Sequence, residues 1–176
     1  QHIAIMPINI EIKARNAAHE AVRAYLQGQS ARFAGLDHQT DTYFRVPQGR
    51  LKLRQGNVEN ALIHYRRDNE AEPGKSEVLL YEVQPGASLL PVLSAALGVL
   101  TQVKKKREIY FIENVKFHLD DVEGLGTFVE IEAQDHEGLL GEQELHAQCR
   151  FYMEALGIRS EDLVSVSYSD MMLKEV

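Results

Sequence analysis

One cysteine, Cys149, stands in 176 residues, which excludes an intramolecular disulfide and a cysteine-based zinc site. A reducing, cytoplasmic setting follows as the expectation. The chain has no apolar run of about 18 residues, so no membrane-spanning helix is expected. It also lacks a basic excess: 19 basic residues face 26 acidic ones, for a formal charge of -7. That balance argues against a protein that coats nucleic acid and still permits a local basic pocket. Repeats, low-complexity tracts and linkers are missing too. With 44% hydrophobic residues, the chain reads as one domain over 1–176. Residues 1–5 lack the basic start and full apolar core of a secretory signal. Met6-Pro7 reads as the natural start, with those five residues as an appendage.

What the chain does have is charge on every second residue of its strand-like segments. In Ile8-Asn9-Ile10-Glu11-Ile12-Lys13-Ala14-Arg15, a strand places Glu11, Lys13 and Arg15 on one face and the isoleucines on the other. Glu130 and Glu132 stand together in the same way, backed by Val129 and Ile131. Neighbouring carboxylates repel unless a cation or basic groups sit between them. The pattern marks a site for a metal and an anion.

The same reading organises the rest of the chain. Helices are expected over 16–28, 88–97 and 137–156, the first with Asn16 as its cap. Strands are expected over 40–46, 50–55, 58–67, 77–83, 99–111, 116–122 and 126–133. Pro47-Gln48-Gly49 reads as a turn and 69–75 as a loop. The sum is one α+β domain built mostly from antiparallel strands.

For any single strand, a charged alternate face is what the solvated side of an antiparallel sheet shows. Across the set the charges are segregated. Arg50, Lys52 and Arg54, then His64 and Arg66, then Lys105 and Arg107 carry the basic groups, and Glu11, Glu130 and Glu132 the acidic ones. Lys116, His118 and Asp120 share a further polar face. The Ile/Leu/Val faces give helices a surface to pack on, which turns the charged faces to a common side. In a sheet curled into a barrel, that side is the interior. Buried Arg and Lys are costly unless an anion fills the space, and a polyphosphate with a divalent metal suits both signs of charge.

These residues resemble the CYTH superfamily, the triphosphate tunnel metalloenzymes. Asn9-Ile10-Glu11-Ile12-Lys13 matches the opening Glu-x-Glu-x-Lys strand at Glu11 and Lys13 but has Asn9 where the first Glu is usual. Gln39-Thr40-Asp41-Thr42-Tyr43-Phe44 and Gly49-Arg50-Leu51-Lys52-Leu53-Arg54 resemble the branch of class IV adenylyl cyclases. Ile63-His64-Tyr65-Arg66, Val103-Lys104-Lys105-Lys106-Arg107, the stretch from His118 to Glu132 and Ser167-Tyr168-Ser169-Asp170 follow in the family's order. The resemblance implies an eight-stranded antiparallel barrel, helices packed on its outside, whose tunnel binds a triphosphate with Mg²⁺ or Mn²⁺. It implies Glu11, Glu130 and Glu132 as metal ligands, and Lys13, Lys52, Arg54, Arg66, Lys105 and Arg107 as phosphate ligands. Lys13, Arg107 and Asp120 would be catalytic, Asp120 by orienting a basic neighbour or by assisting a second metal. Asn9 removes one carboxylate while keeping a carbonyl oxygen. His64 and His118 point toward the expected lumen with no assigned chemistry.

The activity implied is cyclisation of ATP to cyclic AMP and pyrophosphate. Hydrolysis of thiamine triphosphate or inorganic triphosphate is the alternative, and a binding module that turns over little is a third. A nucleic-acid or membrane partner is not expected. Dimers occur in the family, and no dimer surface is legible here.

Overall fold

The computed structural model describes residues 8–67 and 73–174. The expected start at Met6-Pro7 and much of the loop expected over 69–75 lie outside them. In chain order the elements are β1 (Ile8–Arg15), α1 (His19–Gly28), β2 (Arg32–Phe44), β3 (Arg50–Gln55), β4 (Asn60–Arg67) and β5 (Gly74–Glu82). There follow α2 (Leu89–Leu97), β6 (Val99–Ile112), β7 (Val115–Val122), β8 (Gly126–Asp135), α3 (Gly141–Ala155) and α4 (Tyr168–Lys174). The strands close into a barrel in the order β1-β5-β4-β3-β2-β6-β7-β8, and every pairing is antiparallel. The α+β class and the eight-stranded antiparallel barrel are as expected.

Strand alternation sorts the barrel into two surfaces. On β1, β7 and β8 the apolar set (Ile10, Ile12, Phe117, Leu119, Val129, Ile131) points outward. It meets Val22 and Leu26 of α1 and Leu145 and Cys149 of α3 in the main core. A second cluster joins Tyr43, Val103 and Phe128 to Tyr168 and Met171 of α4. Tyr43, Val103 and Phe128 lie in strand register with the inward residues Asp41, Lys105 and Glu130, so α4 packs on lumen-facing side chains. It closes one end of the barrel rather than covering its wall.

Boundaries differ from the sequence reading for local reasons. β2 begins at Arg32, not near residue 40, and a register shift between Phe33 and Gly35 interrupts the alternation that would have marked this early start. Asn16 does not cap α1; its Oδ1 accepts the Ala18 N–H at 2.8 Å, and the helix starts at His19. α3 starts at Gly141, not at residue 137. The Asp135 carboxylate accepts the N–H groups of Leu139, Leu140 and Gly141 at 2.9, 3.2 and 3.2 Å, and so holds the preceding loop against the helix start. Cys149, expected to be an ordinary buried residue, is fully buried, and burial pushes its thiol up to about 12. α2 is apolar along its length but has no buried residue. Among the described residues no helix is long and apolar enough to cross a membrane.

Candidate active site

The lumen encloses a cavity of about 730 Å³ lined by residues of all eight strands and by Tyr168 of α4. Its acidic wall is β1 against β8. Glu11 stands directly opposite Glu132 and Lys13 opposite Glu130, with all four lining the cavity. Like charges opposite each other on paired strands are unfavourable. Asn9, one pleat along β1, donates from Nδ2 to Glu132 Oε1 at 2.6 Å. Its Oδ1 is buried and accepts nothing.

Two opposed carboxylates beside an orphaned amide oxygen form a hard-oxygen donor set that fits a divalent ion such as Mg²⁺ or Mn²⁺. Glu130, the third expected ligand, is differently placed. Its Oε1 lies 3.5 Å from Lys13 Nζ, and its Oε2 meets Arg107 at 3.3 Å and His118 Nδ1 at 3.1 Å. Burial opposes its ionisation, but Arg107 and Lys13 hold it well below the usual carboxylate range. Among the described residues no three acidic, imidazole or thiol side chains are already drawn together as a metal cluster.

The basic wall is built from β3 and β6, with β2 between them. Asp41 of β2 stands opposite Arg54 of β3. It accepts two hydrogen bonds from that guanidinium, at 2.9 and 2.8 Å, and one from Lys105 Nζ at 2.8 Å. Lys52 Nζ lies 3.3 Å away. One fully buried carboxylate thus holds three cations. Burial raises its pKa, and Arg54, Lys105 and Lys52 together outweigh that and keep it ionised. For Lys105 the balance goes the other way, and burial pulls its ammonium down to about 7 despite Asp41. Arg107 of β6 faces Asp120 of β7 and donates to both its oxygens at 2.6 Å. The Tyr168 hydroxyl donates to the same carboxylate at 2.7 Å. Asp120 therefore orients a basic neighbour, one of the roles left open for it. Lys13 lies 3.9 Å from the centre of the Tyr168 ring, so α4 positions both basic groups next to Glu130.

Eight of the ten expected site residues, Glu11, Lys13, Lys52, Arg54, Lys105, Arg107, Glu130 and Glu132, line this space, and Asp120 lies buried behind Arg107. Arg66 is not among them. On β4 the residues opposite Arg54, Lys52 and Arg50 are Ala61, Ile63 and Tyr65, and these line the cavity. Arg66 and His64 are on the other face. Arg66 is exposed and donates to Gln48 Oε1, and His64 Nε2 meets the Gln48 carbonyl at 3.0 Å. For this strand the polar alternation is solvated surface, so the phosphate role expected of Arg66 is corrected. His118 points inward as expected, with its Nε2 buried and unpartnered. Burial and the nearby Arg107 lower its pKa.

A family model for the CYTH domain matches residues 7–168. The chain belongs to the CYTH family. Among solved structures, the PH1012 protein of Pyrococcus horikoshii OT3 is 26% identical with a TM-score of 0.79, over 92% of this chain and 98% of that one. A Vibrio parahaemolyticus protein described as a proposed adenylate cyclase is 18% identical, with a TM-score of 0.73 over 94% and 98% of the two chains. HpAC1 from Hippeastrum, a proposed adenylyl cyclase described as revealing a dominant triphosphatase activity, is 17% identical, with a TM-score of 0.59 over 97% and 95%. The last two show likeness of fold alone. No curated protein sequence matches the chain.

Within this CYTH tunnel, some functional groups lie outside the expected site. Asp41 sits in a motif read only for its resemblance. Glu59 and Asp37 lie at a hairpin and before it, where no alternation singles them out. Lys116 shares the polar face of His118 and Asp120, and that face was its only signal.

Proposed function

We propose that this protein is a divalent-metal-dependent enzyme that converts ATP to cyclic AMP and pyrophosphate. The observation that carries the reading is the cavity's division into two chemistries. Lys13, Lys52, Arg54, Lys105 and Arg107 converge on one side, while Ile63, Val78 and Leu80 of β4 and β5 line the other. A bare triphosphate needs only the first; a triphosphate with an organic group uses both.

Lys52, Arg54 and Lys105 bind the phosphate chain, with geometry set in advance by Asp41. Arg107, locked by Asp120, and Lys13 lie beside Glu130 and face the phosphorus under attack, where they stabilise charge as pyrophosphate leaves. Glu11 and Glu132, with the Asn9 oxygen and a share of Glu130, would hold Mg²⁺ or Mn²⁺. When bound, that ion supplies Lewis-acid polarisation and a lowered pKa for the attacking hydroxyl. The ribose 3′-oxygen attacks the α-phosphorus, its proton passes to solvent, and the bond to the β-phosphate breaks. The same tunnel suits hydrolysis, in which water attacks a terminal phosphorus. A cytoplasmic setting suits a nucleotide substrate.

The test is a product assay with Mg²⁺ or Mn²⁺, offering ATP, thiamine triphosphate and inorganic triphosphate in parallel. Cyclic AMP with pyrophosphate is the expected result. Orthophosphate in its place would make the protein a hydrolase, and tight binding without product would make it a binding module. Glu130→Gln is expected to abolish metal-dependent turnover in a protein that still folds; full activity in that variant would sink the role given to this carboxylate.

A further inference from the structure

Asp41 and Asp120 are fixed counter-ions, with side chains 1% and 0% exposed, each held by a basic partner on an adjacent strand. Glu59 is unlike them. It lies before β4 in the hairpin after β3, and its side chain is 26% exposed. Its two oxygens reach different walls of the tunnel. Oε1 accepts from Lys116 of β7, and Oε2 accepts from Arg54 of β3 at 3.0 Å. β3 and β7 are not neighbours; β2 and β6 lie between them. Only an anion with two oxygens joins these cations across the lumen, and a phosphate group offers the same pair.

The hairpin keeps the Glu59 backbone in place, and the side chain keeps one edge open to solvent, 26% exposed. Asp37, fully buried, accepts the N–H groups of Asn57, Val58 and Glu59 at 2.8, 3.0 and 2.9 Å. A Cβ at Gly56 would come within 2.4 Å of that carboxylate, so glycine is required for its approach. Gln39 ties the two together, donating from Nε2 to Asp37 at 2.8 Å and to Glu59 at 3.3 Å. Were the Glu59 carboxylate displaced toward that solvent edge, Arg54, Lys116 and the Gln39 amide would remain as donors.

We propose that Arg54 and Lys116 form an anion subsite across the tunnel that Glu59 occupies in the free protein and a phosphate group of the substrate takes over. This rests on the reading of the tunnel as a triphosphate site. Glu59 neutralises two cations that would otherwise repel each other, and it competes with every incoming anion. A singly or doubly charged phosphate gains too little elsewhere to displace it. A triphosphate, held at the same time by Lys105 and Arg107, does displace it, so Glu59 selects for the longer polyanion.

The test is calorimetric binding of inorganic triphosphate and of orthophosphate without metal, to wild type, Glu59→Gln, Lys116→Gln and the double variant. Glu59→Gln is expected to bind triphosphate about tenfold more tightly and to acquire measurable orthophosphate binding. Lys116→Gln is expected to weaken triphosphate binding and to remove most of the gain from Glu59→Gln. Glu59→Asp, too short to bridge, should fall between wild type and Glu59→Gln, and serves if the glutamine variant does not fold. Unchanged or weaker triphosphate binding in folded Glu59 variants, with wild type binding well, overturns this inference alone. Tight binding by Glu59→Gln but not by wild type supports it. Failure of all four to bind overturns the triphosphate reading and this inference with it.

Discussion

β1 and β4 carry the same alternation of charged and apolar residues, and the barrel uses it in opposite senses. On β1 the charged set, Glu11 and Lys13, faces the lumen and the isoleucines face out. On β4 the charged set, His64 and Arg66, faces out, while Ala61, Ile63 and Tyr65 face the lumen. What differs is the cover. Among the described residues, the helix-packed core draws on β1, β6, β7 and β8 and takes none from β3, β4 or β5. Where α1 and α3 lie on the wall, the apolar face must meet them and charge is driven inward. On β4, where no helix lies, water takes the polar face, whereas β3, equally absent from that core, still turns Arg50, Lys52 and Arg54 inward. The one-sided placement of the helices accounts for the inward charge of β1, β7 and β8 but not for that of β3.

The comparison breaks most readily at the apolar faces. Phe117 of β7 is fully buried under the helices, against the Tyr152 ring. Phe117→Ala is expected to cost about 3–5 kcal/mol of stability through lost burial and a cavity. Tyr81 of β5 is 69% exposed, and Tyr81→Ala should change stability by less than about 0.5 kcal/mol. Urea unfolding of the two variants reads the difference. Similar costs would mean that β5 is covered after all.

A smaller effect sharpens the comparison at the charged faces. Arg54→Ala removes a guanidinium that binds Asp41 and Glu59, and is expected to weaken triphosphate binding by about 1.5–3 kcal/mol, more than it weakens monophosphate binding. Arg66→Ala, on the solvated face of the next strand, should leave the Kd within about twofold. A large loss at Arg66 would restore it to the tunnel and reverse the orientation assigned to β4.

Most of this was legible one strand at a time. Period-two alternation puts Glu11 with Lys13, Lys52 with Arg54, and Glu130 with Glu132, because the pleat alone decides which residues share a face. It cannot tell which face is inside. That is why Arg66 was misplaced, by the same rule that placed Lys105 correctly. Groups fixed by long-range pairing left weaker traces. Asp41 gains its role from Arg54 and Lys105 on the strands flanking it, and Glu59 from a hairpin shaped by Asp37, 22 residues earlier. The early start of β2 was hidden by the irregularity at Gly35. Asp120 lay in a recognisable motif, but its function depends on Arg107 and on a tyrosine 48 residues later.

The gentlest test of an inward-driven charge is its proton. Lys105 is pulled down to about 7, first by burial and then by Arg54, Arg107 and Lys52, against the pull of Asp41. An unfolded chain would hold that proton up to about 10.4. Between these values the unfolded state binds more protons than the native one, so the empty protein gains stability as pH rises through this window. Triphosphate binding goes the opposite way. A bound polyanion stabilises the ammonium and raises its pKa, so binding takes up a proton wherever free Lys105 is neutral. Affinity should be fullest below about pH 7 and fall as pH rises, by at most about tenfold per unit. The measurement belongs above the range where the ligand's own phosphate ionises, with a pKa of about 6. Calorimetry there in buffers of different ionisation enthalpy counts the proton taken up. Lys105→Arg, whose guanidinium does not titrate in this range, should bind without that uptake and with a flat pH profile. An unchanged slope in Lys105→Arg would assign the proton to another group and show that the burial of this lysine does not govern the tunnel's affinity.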